Sequence, residues 1–86
     1  MMRIHQHQYK ELLLLLSDNC AERIGASVIN CGNDIVELRV SNELIEIIMD
    51  ELADVLSAKG IDSNGHINNF GMSVEGFIDL FNSSLL

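Results

Sequence analysis

The stretch Val28-Ile29-Asn30-Cys31-Gly32-Asn33-Asp34-Ile35-Val36-Glu37-Leu38-Arg39-Val40 decides the fold class of this chain. On either side of it, apolar residues recur every three or four positions. Within it the period drops to two and β-branched residues gather, which is the pattern of half-buried strands. Gly32-Asn33-Asp34 interrupts the run with three residues that accept the positive φ values of a tight turn. The stretch therefore predicts an antiparallel β-hairpin, with Val36, Leu38 and Val40 facing a core and Glu37 and Arg39 on the other side. Two strands are marginally stable by themselves, so helices must cover the inner face.

Upstream, Tyr9, Leu12, Leu13, Leu16, Cys20 and Ile24 form one stripe at helical spacing, predicting a single helix from about His5 to Ile24 that ends at Gly25. Leu14 and Leu15 fall outside that stripe, and Leu15 lands among Gln8, Glu11, Asp18 and Glu22. Both leucines are accordingly candidates for self-association, since a homodimer would hide them.

Downstream, Ser41 or Asn42 can cap a long helix running to about Lys59, with Gly60 just past its end. Leu44, Ile45, Ile48, Met49, Leu52, Val55 and Leu56 make its apolar face. Residues 61–72 read as a Gly-, Asn- and Ser-rich loop. Ser73 is expected to cap a short last helix that buries Val74, Phe77, Ile78 and Phe81. The resulting expectation is an α+β single domain over residues 1–86, ordered α-β-β-α-α, with the hairpin packed on the helices.

Composition narrows the function classes. The 86 residues carry 13 acidic and five basic side chains, a formal net charge of -8. Such a charge argues against direct binding to a nucleic-acid backbone or an anionic membrane surface, and favours a basic protein partner. No apolar run approaches the roughly 20 residues a spanning helix needs, so no membrane insertion is expected. Two cysteines, Cys20 and Cys31, are too few for a disulfide scaffold, which points to a reducing, cytoplasmic setting. Both read as small core residues, and their spacing leaves a mutual disulfide open.

Catalytic chemistry finds little footing. No nucleophile stands beside an evident base and no glycine-rich phosphate cradle follows a strand. His5, His7 and His66 lack ligand spacing. A calcium loop placed with Gly65 at its sixth position puts Gly60 and Gly71 where the anchoring carboxylates belong, so Asp62 and Asn64 are expected to bond local backbone instead. The chain is expected to be no enzyme and to have no catalytic residue, cofactor site or metal site.

One family resemblance is carried by Ser41 followed by Ile45-Glu46-Ile47-Ile48-Met49, which looks like the modified serine and second helix of acyl carrier proteins. Ser73-Val74-Glu75-Gly76-Phe77-Ile78-Asp79-Leu80-Phe81 is similar to their last helix by residue type, so the resemblance loosely spans residues 36–82. It implies a carrier that bears phosphopantetheine on Ser41, or a degenerate one. The chain departs from the family in having Val40 and Asn42 where carriers place Asp and Leu around the serine, and the predicted hairpin is not a carrier feature.

The leading expectation is a small non-catalytic protein-binding module, such as an inhibitor, an immunity protein or antitoxin, or a regulatory subunit. Its proposed contact face is an acidic stripe on the long helix, Glu43, Glu46, Asp50 and Asp54, with Ile47 inside it. The alternatives are the acyl-carrier-like protein and a structural homo-oligomer assembled through Leu14 and Leu15.

Overall fold

The computed structural model describes residues 2–85 and shows a small α+β domain. The elements are β1 (Met2–His5), α1 (Gln6–Leu15), α2 (Asp18–Ala26), β2 (Val28–Cys31), β3 (Ile35–Leu38), α3 (Asn42–Lys59) and α4 (Asn69–Ser83). The expected α+β class holds, with two additions to its order: a strand precedes the first helix, and that helix is two helices.

The hairpin forms as its alternation dictates. β2 and β3 pair antiparallel, Val28 opposite Leu38 and Cys31 opposite Val36. Asn30 rather than Ile29 meets Glu37, so Ile29 is the extra residue of an irregularity and remains exposed. The amide of Gly32 donates to the carbonyl of Ile35 at 2.9 Å and closes the turn. No residue from Gly32 to Asp34 has positive φ, contrary to the turn expected from its composition. Val36 and Leu38 are buried as expected, while Val40 is half-buried.

β1 pairs antiparallel with β3, making it the central strand of a three-stranded sheet ordered β1-β3-β2. Met2 stands opposite Leu38 and Ile4 opposite Val36, so their side chains share the buried face. Arg3 and His5 take the outer face. Arg3 faces Glu37 across the pair, with Nε 3.8 Å from Oε1, and His5 Nδ1 lies 3.3 Å from Asp34 Oδ2.

The predicted first helix breaks at Leu16, whose backbone is extended, and restarts after Ser17. The hydroxyl of Ser17 accepts the amide of Cys20 and caps α2, while Asp18 places a negative charge in the positive first turn. Leu12, Leu16, Cys20 and Ile24 are all buried, so the apolar stripe crosses the break and masks it in the sequence. Gly25 lies inside α2 rather than beyond it.

α3 has the expected ends. Ser41 Oγ accepts the amide of Leu44 at 3.2 Å, and Gly60 follows Lys59. Gly60 is not left-handed: it serves close approach, because a Cβ there would lie 2.9 Å from Gly71 Cα. α4 begins four residues earlier than Ser73, at Asn69, and Ser73 lies within it. Its cap is Asn68, whose Oδ1 accepts the amide of Gly71 at 2.7 Å. The same side chain donates from Nδ2 to Lys59 O, and its amide donates to Gly60 O, both at 2.9 Å. Asn68 thus fastens the start of α4 to the end of α3. Ile48 and Leu52 from α3 and Val74, Phe77 and Phe81 from α4 meet the buried sheet face in one core. Among the described residues no helix is long and apolar enough to cross a membrane.

Candidate functional site

Glu43, Glu46, Asp50 and Asp54 occupy one side of α3, because spacings of three, four and seven residues return to nearly the same azimuth of a helix. All four are exposed. Among the described residues the acidic side chains with a basic neighbour in contact are Glu37, beside Arg3, and Asp34, beside His5, so none of these four carboxylates is balanced by a neighbouring cation. Like charges at these spacings repel by a few tenths of a kcal/mol per pair, an unrelieved cost to the helix.

Ile47 lies on the shoulder of the stripe rather than in its middle. It is half-buried and packs against the core, so only part of its side chain is available to a partner. Glu51 occupies the next shoulder position, one turn along from Ile47, and has a different role. Its Oε1 accepts the amide of Ser17 at 2.8 Å and its Oε2 accepts the hydroxyl at 2.9 Å. Burial by itself would raise its carboxyl, but hydrogen bonds from Cys20 and Ser17 outweigh that and hold it below the ordinary carboxylate value. The acid content of α3 is therefore divided: four carboxylates face solvent and the fifth anchors the corner between α1 and α2. A long-range anchor of this kind has no sequence signal, since Ser17 and Glu51 are 34 positions apart.

The two leucines proposed for self-association separate. Leu14 is 86% exposed, on the side of α1 shared with His7, Lys10 and Glu11. Leu15 is half-buried and packs on the core, because the break at Leu16 ends the single-helix register that set it among polar residues. Further exposed apolar side chains, Ile61, Ile67, Phe70 and Met72, gather around the turn between α3 and α4 and the start of α4.

The cysteines are free. Cys20 is buried as expected; burial first, then the hydrogen bond and charge of Glu51, raise its thiol above the ordinary value. Cys31 is exposed rather than part of the core, since β2 packs chiefly on β3 and is exposed along most of its length, and its Sγ lies 3.3 Å from Gln6 Nε2. Asp62 behaves as a turn residue: its Oδ1 accepts the amides of Asn64 and His66 at 2.9 and 3.0 Å, while Gly65 takes φ of 81°. Ser41, the serine of the carrier resemblance, caps α3. Among the described residues no group of three or more His, Cys, Asp or Glu side chains is placed to hold a metal.

Comparison with known proteins yields no match: no family model fits the chain, and no curated protein or solved structure is similar to it.

Proposed function

We propose that this chain is a small acidic protein-binding module, of the inhibitor, antitoxin or regulatory-subunit kind, that presents the outer face of α3 to a basic protein. The observation that carries this reading is the row Glu43, Glu46, Asp50 and Asp54, exposed and, among the described residues, without a neighbouring cation, on an 18-residue helix whose opposite face is locked in the core. A rigid helix holding four carboxylates in line needs little ordering on binding, and its field accelerates encounter with a basic surface. Ile47 supplies a partial apolar contact at the edge of the row. The three-stranded sheet supports this reading over the acyl-carrier alternative with phosphopantetheine on Ser41.

The test is affinity capture from host lysate using the unmodified chain and Glu46→Lys/Asp50→Lys as parallel baits, followed by association kinetics with the captured protein. Association should slow by about tenfold or more at low salt in the variant and lose much of its salt dependence. An equal association rate at low salt overturns the proposal. Self-association is the second reading, favoured by the exposure of Leu14: a homodimer through α1 would cover it.

A further inference from the structure

At the free edge of β1, a cleft of about 370 Å³ opens between the β1–α1 corner and α4. That volume falls in the usual range for small-molecule pockets. Its floor is apolar: Ile4 and Phe77, both core residues, and the half-buried Leu80. Its rim is polar, with Arg3 and Gln8 on one side and Ser73 on the other.

Gly76 lines the cleft and is exposed. Glycine in the middle of a helix costs about 1 kcal/mol relative to alanine, so its presence calls for a reason. Gly60 and Gly71 have one, since a Cβ on either would collide with the other's backbone. Gly76 has no such packing reason: its φ is not positive, and a Cβ there would meet no atom within 4 Å. A side chain at 76 would stand in open space beside the cleft that Gly76 lines.

The rim carries one permanent cation, Arg3, on a chain whose overall charge is negative. Arg3 Nε lies 3.8 Å from Glu37 Oε1, beyond hydrogen-bond distance, and the side chain is 66% exposed, so its guanidinium remains accessible to a ligand. Gln8 Oε1 is occupied by the amide of His5 at 3.0 Å, so its NH2 remains as a donor. Ser73 contributes a hydroxyl, and His7 also lines the cleft. Glu11, one turn beyond His7 on α1, is the acidic residue of the same lining.

We propose that the cleft between β1, α1 and α4 binds a small amphipathic monocarboxylate, with its head group at Arg3 and its hydrocarbon body on Ile4, Phe77 and Leu80 beside Gly76. The site is independent of the acidic face of α3. Arg3 supplies a charge-assisted, forked contact to the carboxylate, and the floor supplies apolar contact, chiefly through the half-buried Leu80.

The probe is hexanoate, titrated into the ¹⁵N-labelled full chain, with hexanol and hexylammonium as matched controls. Hexanoate should give saturable shifts confined to residues around Arg3, Gly76 and Phe77. Arg3→Gln should weaken binding by about tenfold. Gly76→Leu, which fills the cleft, should abolish binding, while Gly76→Ala should melt above the unmodified protein and confirm that position 76 tolerates a side chain. Absence of saturable shifts with hexanoate overturns the proposal. So does binding of hexanol or hexylammonium as tight as that of hexanoate, or hexanoate binding unchanged in a folded Gly76→Leu. Should Gly76→Leu fail to fold, unchanged hexanoate affinity in Arg3→Gln is the overturning result.

Discussion

The carboxylate of Glu51 grips Ser17 twice, accepting the backbone amide through Oε1 at 2.8 Å and the hydroxyl through Oε2 at 2.9 Å. Ser17 in turn caps α2 through the amide of Cys20. One side chain on α3 thereby sets the angle at which α1 gives way to α2. Hydrogen bonds to a charged acceptor are worth more than neutral ones, although exposure at Ser17 reduces their net contribution.

Glu51→Ala should therefore destabilise the domain by about 1–2 kcal/mol, and Ser17→Ala by about 1 kcal/mol. The two losses should be less than additive, because each removes the same contact. Urea unfolding of the single and double variants measures this; strict additivity would show that the pair is not coupled.

The same contact sets a pH dependence. Glu51 is held below its ordinary value in the folded state, so its stabilisation is complete above the unfolded carboxyl pKa, near 4.5, and is lost as pH falls through the lower folded value. The stability difference between the unmodified chain and Glu51→Ala should be largest at neutral pH and shrink below about pH 4.5. A difference that stays constant from pH 7 to pH 3 would show that the carboxylate form has no special role.

Gly71→Ala should be among the most damaging small substitutions in the chain. Its Cβ would run into the carbonyl of Gly60 and force α4 away from α3, where Asn68 holds the two ends together. A loss of about 3 kcal/mol is expected, toward the upper end for overpacking because the obstacle is backbone. Thermal melting compared with that of Gly76→Ala, which should gain stability, separates steric collision from the general effect of replacing a helical glycine.

Leu14→Glu and Leu15→Glu should act differently. Leu14 is almost wholly exposed, so its replacement should leave the melting temperature nearly unchanged while dispersing a homodimer. Leu15 packs on the core, and a glutamate there should cost stability as well, on the order of 2 kcal/mol. Sedimentation at high micromolar concentration reads the association, and a monomeric unmodified chain removes the dimer.

The two thiols should also part company. Cys31 should react rapidly with a thiol reagent in the native protein, and Cys20 only on unfolding, because burial both blocks it and keeps it protonated. Equal rates in native buffer would show that the α2 corner opens readily.

Local pattern by itself determined the α+β class, the hairpin and α3. Alternation from Ile35 to Val40 is a property of neighbouring residues, and Ser41 and Gly60 mark the helix ends within a turn of where they act. The acidic row was equally legible, since its spacing follows from the helix that carries it. Contacts between distant segments decided the rest. β1 is four residues long and becomes a strand only because β3 offers it a free edge. The first helix breaks because Glu51 and the Ser17 cap satisfy its severed backbone, while the buried stripe from Leu12 to Ile24 continues across the corner and conceals it. α4 starts at Asn69 because Asn68 finds Lys59 and Gly60 within reach, partners that only the close approach of the two glycines provides. Cys31 is exposed because β2 packs chiefly on β3 and is left open along most of its length, a consequence of where the helices settle. Periodicity reports which face of a segment is apolar, but which partner meets that face, and which polar groups are satisfied at each corner, is settled by packing in three dimensions.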